Sequence, residues 1–482
     1  MEQRKDRPFG SARWAEEFDI RLARLFEPRG LRIGYVNNKP LAFDGDGSTL
    51  VIGGAGSGKG RDFLIPMIQA AAKEGKNLWG FDPKGELAAV CLPVFIKYGG
   101  EVYLFNPFGL HGLAQHRTNP LSILRLNDPR FEANCRLIAE ALVPSSGGST
   151  AEYFELTARD IIDAGLQTLV RVYGRASFDL LYWYISLMVT DQEAWGVMLK
   201  AMYTSGSAYL RLIAGRMQQV QCDSPKEFSG LFGTITKSLS FLGNPKVMDA
   251  LDGDDFDLSD QCREDGTPRS VFFMAPIEYT RQLAGLIRCL FTVSMIAKAA
   301  RPQARRLLMI VDEAGNMGRF ESLLLAVQAY RGSGITAVPV FQDVGQITRA
   351  YDASTVQSFI GSCPCRVFMG TRDLETARMI SFMLGNETFN YNEPGKQDEA
   401  RRRAWEALMR FMHGQDPMQS AFDFAHYERA SRNESKRERA LLAPNEVLAL
   451  PNDQMIIFIA GENAPPPILA DKYPYYTSGV KP

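Results

Sequence analysis

The sequence has few of the residue types that build metal centres and disulfide frameworks. It contains four histidines and seven cysteines in 482 residues. The histidines form no Cys/His pattern with zinc-ligand spacing. The cysteines stand singly apart from Cys363 and Cys365, and their odd number without C-x-x-C spacing favours reduced thiols in a cytosolic setting. These counts argue against a zinc site and a disulfide-stapled secreted fold.

Long apolar runs and a strong charge of either sign are also missing. A membrane-spanning helix needs about 18 or more apolar residues, and the nearest candidates, residues 180–189 and 283–297, are too short or carry Arg288. The N-terminal residues 1–6 lack the apolar core of a signal peptide. The net charge is −1, so a nucleic-acid contact would need a local basic surface. We therefore expect the chain by itself to be soluble.

A glycine-rich stretch at residues 53–60 has the form G-x-x-x-x-G-K of a phosphate-binding loop. An apolar strand is predicted before it at 49–52, and apolar residues of a helix follow it. Glycines allow backbone N–H groups to face a triphosphate, and the following helix adds the positive end of its dipole. Lys59 would reach the β- and γ-phosphates. The predicted nucleotide-binding residues of this loop are Gly53, Gly54, Ala55, Gly56, Ser57, Gly58, Lys59 and Gly60.

Two residues depart from the usual pattern of such a loop. Gly60 stands where a serine or threonine normally binds Mg²⁺, so water or another residue must complete the metal shell. Pro66 lies inside the predicted helix, where proline costs about 3 kcal/mol and bends the chain.

A Walker B pair is predicted at the end of the apolar run 307–311, which is typical of a central parallel strand. Asp312 would hold Mg²⁺, and Glu313 would orient and activate the attacking water. Gln342, at the end of the next predicted strand, is placed to sense the γ-phosphate. A strand that ends in two acids by chance is the alternative.

Other charged residues are candidates for the same site. Asp82 and Lys84 follow a predicted strand at 77–81, where open α/β sheets bind ligands, and both are predicted to contact nucleotide. An arginine from a neighbouring subunit often completes such sites. Arg331, Arg366 and Arg372 are the candidates, and Arg372 is taken as the predicted catalytic one, although the sequence does not choose among them.

Strand and helix patterns alternate along the chain except between about residues 129 and 269, where strand signals vanish. Helices are predicted there at 131–142, 153–172, 180–188 and 193–203. We predict an α/β nucleotide-binding domain from residues 1–128 and 225–482, interrupted by an all-α domain at 129–224. The alternative is that these helices merely flank the sheet. Residues 393–440 are charge-rich, and residues 464–467 lead into an extended tail.

The motifs together resemble the TraG-type coupling proteins of conjugative type IV secretion systems. The resemblance spans nearly the whole chain and depends on the order and spacing of modest motifs. They are Gly10-Ser11-Ala12-Arg13-Trp14-Ala15, Gly58-Lys59-Gly60 with Ile65-Pro66, Asp82-Pro83-Lys84-Gly85-Glu86, Asn119-Pro120-Leu121, Asp312-Glu313 with Gly318, Tyr330-Arg331-Gly332, Thr376-Ala377 with Leu384-Gly385, Leu441-Leu442, Glu446 and Pro466-Pro467.

The resemblance implies a DNA-stimulated P-loop ATPase that uses ATP and Mg²⁺ and assembles as a ring, expected to be a hexamer. It implies a RecA-like domain with a parallel-rich sheet plus an inserted all-α domain. Such proteins recruit DNA–relaxase complexes or effector proteins and deliver them to the secretion channel, at the inner face of the bacterial inner membrane. The family carries an N-terminal membrane anchor, whereas nine residues precede Gly10 here. We expect membrane contact only through a missing anchor or a partner.

Two other functions remain open from the sequence. In the first, nucleotide stabilises a docking receptor and hydrolysis is slow or absent, which Gly60 favours and the Asp312-Glu313 pair opposes. In the second, the protein is a DNA translocase unrelated to secretion, which the full-length series of motifs opposes.

Overall fold

The structure is a computed structural model that describes residues 10–146, 149–391, 393–432 and 435–477. They fall into two compact units. The first, the sheet unit, contains Glu16–Thr371 and the residues from Pro451 onward. The second, the hairpin unit, contains Arg372–Leu450 and the residues up to Ala15.

The described residues form the following strands, given in chain order: β1 (Leu31–Val36), β2 (Lys39–Phe43), β3 (Thr49–Gly53), β4 (Asn77–Asp82), β5 (Glu101–Phe105), β6 (Arg269–Met274), β7 (Leu307–Val311), β8 (Ile335–Phe341), β9 (Cys365–Met369), β10 (Asn386–Tyr391), β11 (Ser435–Ala440), β12 (Gln454–Ile459) and β13 (Ile468–Asp471).

The α-helices of the same residues are α1 (Glu17–Leu22), α2 (Ile65–Lys73), α3 (Glu86–Lys97), α4 (Phe131–Leu142), α5 (Ser149–Tyr173), α6 (Phe178–Thr190), α7 (Gln192–Thr204), α8 (Ala208–Asp223), α9 (Pro225–Ser238), α10 (Pro245–Leu251), α11 (Thr280–Ala300), α12 (Glu321–Ala329), α13 (Val344–Ala350), α14 (Ala353–Ser362), α15 (Leu374–Leu384), α16 (Pro394–Met412), α17 (Pro417–Arg432) and α18 (Pro444–Leu448).

The sheet unit is built on one 11-stranded sheet in the order β2-β1-β13-β12-β9-β3-β8-β7-β4-β6-β5. The seven strands from β9 to β5 pair in parallel, and the four at the other edge pair antiparallel. Strands β3, β4, β6, β7 and β8 are buried along their whole length, which explains their near-continuous apolar runs. The carboxyl ends of β3, β7 and β8 therefore meet at one edge of the sheet.

The described part of the chain between β5 and β6 contains helices and loops but none of the strands given above. Helices α4 to α10 cover this stretch with short 3₁₀ turns, and the first of them has the predicted bounds 131–142. The helical run continues to Leu251, beyond the predicted end at residue 224. These helices belong to the same compact unit as the large sheet, so the boundaries at 129 and 224 stay a prediction.

The hairpin unit contains the charge-rich residues. Strands β10 and β11 form a two-stranded antiparallel sheet, and α16 and α17 lie between them in the chain. The triplet Arg401–Arg403 lies on α16 and pairs with Asp398, Glu399 and Glu406 on the same helix. These ion pairs lie within one helix, and the side chains of Arg401, Arg402 and Arg403 are exposed.

Helix α11 is the apolar helix at the centre of the sheet unit. Among the described residues, Ile277–Ala300 is the one helical stretch with the length and composition to cross a membrane, with a mean hydropathy of 1.6. Within the protein, 89% of its apolar window is buried. The buried Arg288 donates from Nε to the carbonyl oxygen of Ala141 at 2.8 Å. Packing inside the protein thus accounts for its apolar character.

Candidate nucleotide site

The phosphate loop begins at the end of β3 and is tied to the neighbouring strand. The backbone N–H of Gly54 donates to the carbonyl oxygen of Met369 at 3.2 Å. Gly56 and Gly58 have φ values of 72° and 80°, in the left-handed region that favours glycine. A Cβ on Gly58 would lie 2.1 Å from Asp62 Oδ2. The loop conformation and the close approach of Asp62 both require glycine at this position.

The helix after the loop begins with a wide turn. Residues Lys59–Leu64 are π-helical, and the regular α-helix α2 begins at Ile65. Pro66 therefore lies in the first turn of α2, where proline is tolerated because its missing N–H would have no helical partner. The bend expected from Pro66 stays a prediction; the structure shows a change from π-helix to α-helix at Ile65, directly before it.

Lys59 lies against its own loop, with the Walker B acids nearby. Its ammonium donates to the carbonyl oxygens of Gly53 at 2.7 Å and Gly54 at 3.4 Å. Asp312, at the end of β7, is partly buried. Burial raises the pKa of Asp312 to about 7, and the charge of Glu313 adds to the rise while that of Lys59 opposes it. A cation bound beside Asp312 would therefore stabilise the charged form of its carboxyl group.

Glu313 and Gln342 are brought together from the ends of adjacent strands. Gln342 follows β8, and its Nε2 donates to Glu313 Oε2 at 2.8 Å. The backbone N–H of Gln342 in turn donates to Gln346 Oε1 at 3.0 Å. Glu313 is buried and has φ 55°, a left-handed conformation that costs a non-glycine residue about 1–3 kcal/mol. This backbone and the amide hydrogen bond hold the Glu313 carboxylate in one orientation.

Asp82 and Lys84 have different settings at the end of β4. The buried Asp82 accepts hydrogen bonds from the backbone N–H of Ala88 at 2.9 Å and of Lys84 at 3.3 Å, so it caps the start of α3. Burial raises the pKa of Asp82, and its charge raises that of Asp312, which places the two acids near each other. Lys84 has an exposed side chain. Their contact with nucleotide stays a prediction.

The three candidate arginines lie in three environments. Arg331 is exposed in the 3₁₀ turn Tyr330–Ser333 after α12. Arg366 is partly buried on β9, with its guanidinium carbon 5.9 Å from the ring centroid of Phe458. Arg372 is exposed and begins the second chain segment of the hairpin unit, and its catalytic role stays a prediction.

A chain segment after β13, which the sequence did not indicate, packs on the phosphate loop. Lys472, just after β13, is 3% exposed and donates from its ammonium to the carbonyl oxygen of Ser57. Further on, the backbone N–H of Tyr475 donates to the carbonyl oxygen of Arg61 at 3.2 Å. The residues predicted as an extended tail therefore form strand β13 and, after it, a segment that hydrogen-bonds to the phosphate loop and to the turn that follows it. A single lysine after a short apolar run carries no sequence signal for this role.

The residues present fit a nucleotide with a magnesium ion. No group of three or more His, Cys, Asp or Glu side chains with metal-binding geometry occurs in the described part of the chain. Mg²⁺ commonly uses one or two carboxylates and takes its other ligands from phosphates and water. Asp312 is placed to provide such a carboxylate, and the left-handed glycines leave the loop without side chains at Gly56 and Gly58.

Comparison with known proteins gives a match over nearly the whole chain. The model of the family described as type IV secretory system conjugative DNA transfer matches residues 13–480. VirD4 of Rhizobium radiobacter is 24% identical over 488 residues, covering 98% of this chain and 65% of the relative. TraG of Escherichia coli is 24% identical over 518 residues, covering 97% of this chain and 76% of the relative. The chain thus spans just under two thirds of the length of the VirD4 relative.

Solved structures of the conjugative coupling protein TrwB have the same fold. An unbound form has a TM-score of 0.68 at 17% identity and covers 99% of this chain and 96% of that one. TrwB in complex with ADP and Mg²⁺ has a TM-score of 0.66 at 17% identity and covers 99% and 98%. The prediction of a RecA-like α/β domain with an inserted all-α domain is confirmed.

Proposed function

The chain belongs to the family of conjugative DNA transfer proteins of type IV secretory systems, and from this membership we propose that it is an ATP-driven coupling protein. It recruits DNA–relaxase complexes or effector proteins and delivers them to the secretion channel. It works as a ring of identical subunits, a hexamer, at the inner face of the bacterial inner membrane. Its relatives include a type IV secretion system-coupling protein, VirD4, and a conjugal transfer protein, TraG, which support this role.

The observation that carries the proposal is the Glu313–Gln342 hydrogen bond beside the phosphate loop. A docking receptor without hydrolysis needs no oriented base, whereas here a strained backbone and a 2.8 Å amide contact both act on one carboxylate. TrwB, which shares the fold, has been solved with ADP and Mg²⁺ and with a non-hydrolysable ATP analogue. Both observations favour a nucleotide site equipped for turnover.

Each side chain of the site has a distinct task in hydrolysis. Lys59 leaves the loop carbonyls to bind the β- and γ-phosphates. Glu313 orients a water molecule and accepts its proton as the water oxygen bonds to the γ-phosphorus and the bond to the β–γ bridging oxygen breaks. Gln342 holds Glu313 and senses the γ-phosphate. Asp312 would hold Mg²⁺, which would neutralise charge on the phosphates when bound.

Steady-state ATP hydrolysis by the purified chain, with and without single-stranded and duplex DNA, tests the proposal. We expect measurable turnover that DNA raises. Glu313→Gln should bind ATP but turn over at least about a hundredfold more slowly, because a positioned base commonly contributes 10²–10⁴. Lys59→Ala should lose nucleotide binding and serves as the control for contaminating activity.

Two results would contradict this scheme. Turnover of Glu313→Gln at the wild-type rate would remove Glu313 from the mechanism. Tight ATP binding by the wild type without hydrolysis in any DNA condition would favour the docking receptor, the rival that Gly60 supports.

A further inference from the structure

The side chain of Gln346 contacts two parts of the region around Glu313. Gln346 lies in the first turn of α13, and its backbone N–H donates to Asp343 Oδ1 at 2.7 Å, which fixes the start of that helix. The next residue, Ile347, is fully buried and anchors the helix in the sheet unit. From this fixed turn, Gln346 Oε1 accepts a hydrogen bond from the backbone N–H of Gln342 at 3.0 Å. Gln346 therefore ties the residue that follows β8 to the start of α13.

The same side chain lies against Gly315, in the 3₁₀ turn Ala314–Met317. A Cβ added to Gly315 would lie 2.4 Å from Gln346 Oε1 and 2.7 Å from its Cδ. The φ of Gly315 is outside the left-handed region, so its backbone conformation does not require glycine. A side chain at residue 315 would instead displace the amide group of Gln346.

These two contacts of Gln346 close a circuit around Glu313. One path passes through Gln342, whose Nε2 donates to Glu313 Oε2 at 2.8 Å. The other passes through Gly315, in the turn that Glu313 directly precedes. Glu313 has φ 55°, and a strained backbone of this kind persists only where the surrounding structure holds it. Gln346 thus contacts both the partner of the Glu313 carboxylate and the turn that continues the Glu313 backbone.

We propose that Gln346 is a positioning residue for ATP hydrolysis that keeps the Glu313 carboxylate where it can orient the attacking water. It acts through Gln342 and the turn at Gly315 and makes no contact of its own with the nucleotide. This role rests on the proposed ATPase function. A misplacement of about 1 Å can slow a reaction on the order of a hundredfold. Nucleotide binding depends on the phosphate loop instead, so loss of the Gln346 amide should slow the hydrolysis step and leave the affinity unchanged.

Single-turnover ATP hydrolysis and binding of a non-hydrolysable ATP analogue, both measured on the full chain, test this role. Gln346→Met keeps the bulk of the side chain but removes the acceptor for the Gln342 N–H. Its hydrolysis step should be at least about tenfold slower, with the affinity for the analogue unchanged. The matched control is Gln357→Met, which changes an exposed glutamine on α14 and should equal the wild type in both measurements. Thermal unfolding checks that both variants are folded.

Two double variants separate positioning from a general loss of structure. In the Glu313→Gln background, Gln346→Met should slow hydrolysis no further, because the carboxylate that it positions is already absent. Gly315→Ala should slow hydrolysis in the wild-type background, because its Cβ would displace the Gln346 amide. In the Gln346→Ala background the amide is missing, so Gly315→Ala should have a much smaller effect.

The outcomes distinguish this role from the proposed function. A wild type that binds ATP without hydrolysing it would refute the proposed function and the role of Gln346 with it. A wild type that hydrolyses ATP while Gln346→Met keeps the same single-turnover rate would overturn the role of Gln346 alone. Equal slowing by Gln346→Met with and without an intact Glu313 would also overturn it, because the effect would then not pass through Glu313.

Discussion

Gly60 occupies a position with open space around it, unlike Gly53 and Gly58, where an added Cβ would lie within 3 Å of a side chain. A Cβ on Gly60 would meet no atom within 4 Å, and its φ is not in the left-handed region. The packing therefore does not require glycine.

The substitution Gly60→Ser is accordingly expected to fold and to hydrolyse ATP. Its hydroxyl would supply the Mg²⁺ ligand that this position usually carries, so the Mg²⁺ concentration for half-maximal turnover should fall several-fold. A Mg²⁺ titration of the ATPase rate measures this. Gly58→Ser is the control and should lose nucleotide binding, because its Cβ would lie 2.1 Å from Asp62 Oδ2. Abolished turnover in Gly60→Ser would contradict the expectation.

The raised pKa of the single residue Asp312 predicts that the stability of the folded protein depends on pH. Its pKa is raised to about 7 in the folded protein, above the value of about 3.9 of an unfolded aspartate. The folded state then binds the proton more tightly, so this group lowers stability as pH rises from about 4 through about 7.

The variant Asp312→Asn removes this titrating carboxyl group. Without added nucleotide or Mg²⁺, its thermal unfolding midpoint should equal that of the wild type near pH 4 and exceed it increasingly toward pH 8. Asp254→Asn, a change at an exposed aspartate, is the control and should follow the wild-type curve. Parallel pH curves for Asp312→Asn and the wild type would show that the pKa of Asp312 is unshifted.

At the scale of elements, residues that lie outside strand β3 and helix α2 hold the phosphate loop in place. Lys472 lies beyond β13 and contacts the carbonyl oxygen of Ser57, while Gly54 is tied to the end of β9. Lys472→Met keeps the shape of the side chain but leaves the Ser57 carbonyl without its cation. Nucleotide affinity should fall about tenfold, or ~1.4 kcal/mol, within the range for an unsatisfied buried acceptor.

Titration with a fluorescent ATP analogue measures this change. Lys73→Met, at an exposed lysine on α2, is the matched control and should bind as the wild type does. Wild-type affinity in Lys472→Met would mean that the loop keeps its conformation without the segment after β13.

At the scale of the whole molecule, a ring is expected to place an arginine of one subunit at the site of the next. Arg331 is exposed, whereas Arg366 is partly buried against Phe458, so the structure favours Arg331 over Arg366 for a role between subunits. Glu313→Gln and Arg331→Ala should each be nearly inactive alone. Their mixture should regain part of the wild-type rate, because some sites then combine an intact Glu313 with an intact neighbouring Arg331.

Mixing the variants at several protein concentrations measures this recovery. Replacing Arg331→Ala by Arg372→Ala in the mixture tests the other candidate in the same way. A mixed rate that is the plain sum of the two separate rates would contradict a shared site for the arginine tested.

Local patterns determined most of the elements that position the site. The buried strand Leu307–Val311 and the helix Phe131–Leu142 have the bounds that the apolar patterns predict. The fold class was likewise readable, because strand and helix patterns alternate along the chain, whereas the roles of the loop residues and of Asp312 and Glu313 stay predictions.

Only the tertiary structure decided which distant residues meet. The Glu313–Gln342 pair joins two strand ends, Lys472 reaches Ser57 across most of the chain, and Arg288 links three separate backbone carbonyls. The pairing of β10 with β11 and the place of β13 inside the large sheet also have no local signal. Propensity and periodicity act over about one helix or strand, whereas these contacts depend on how the whole sheet orders its strands.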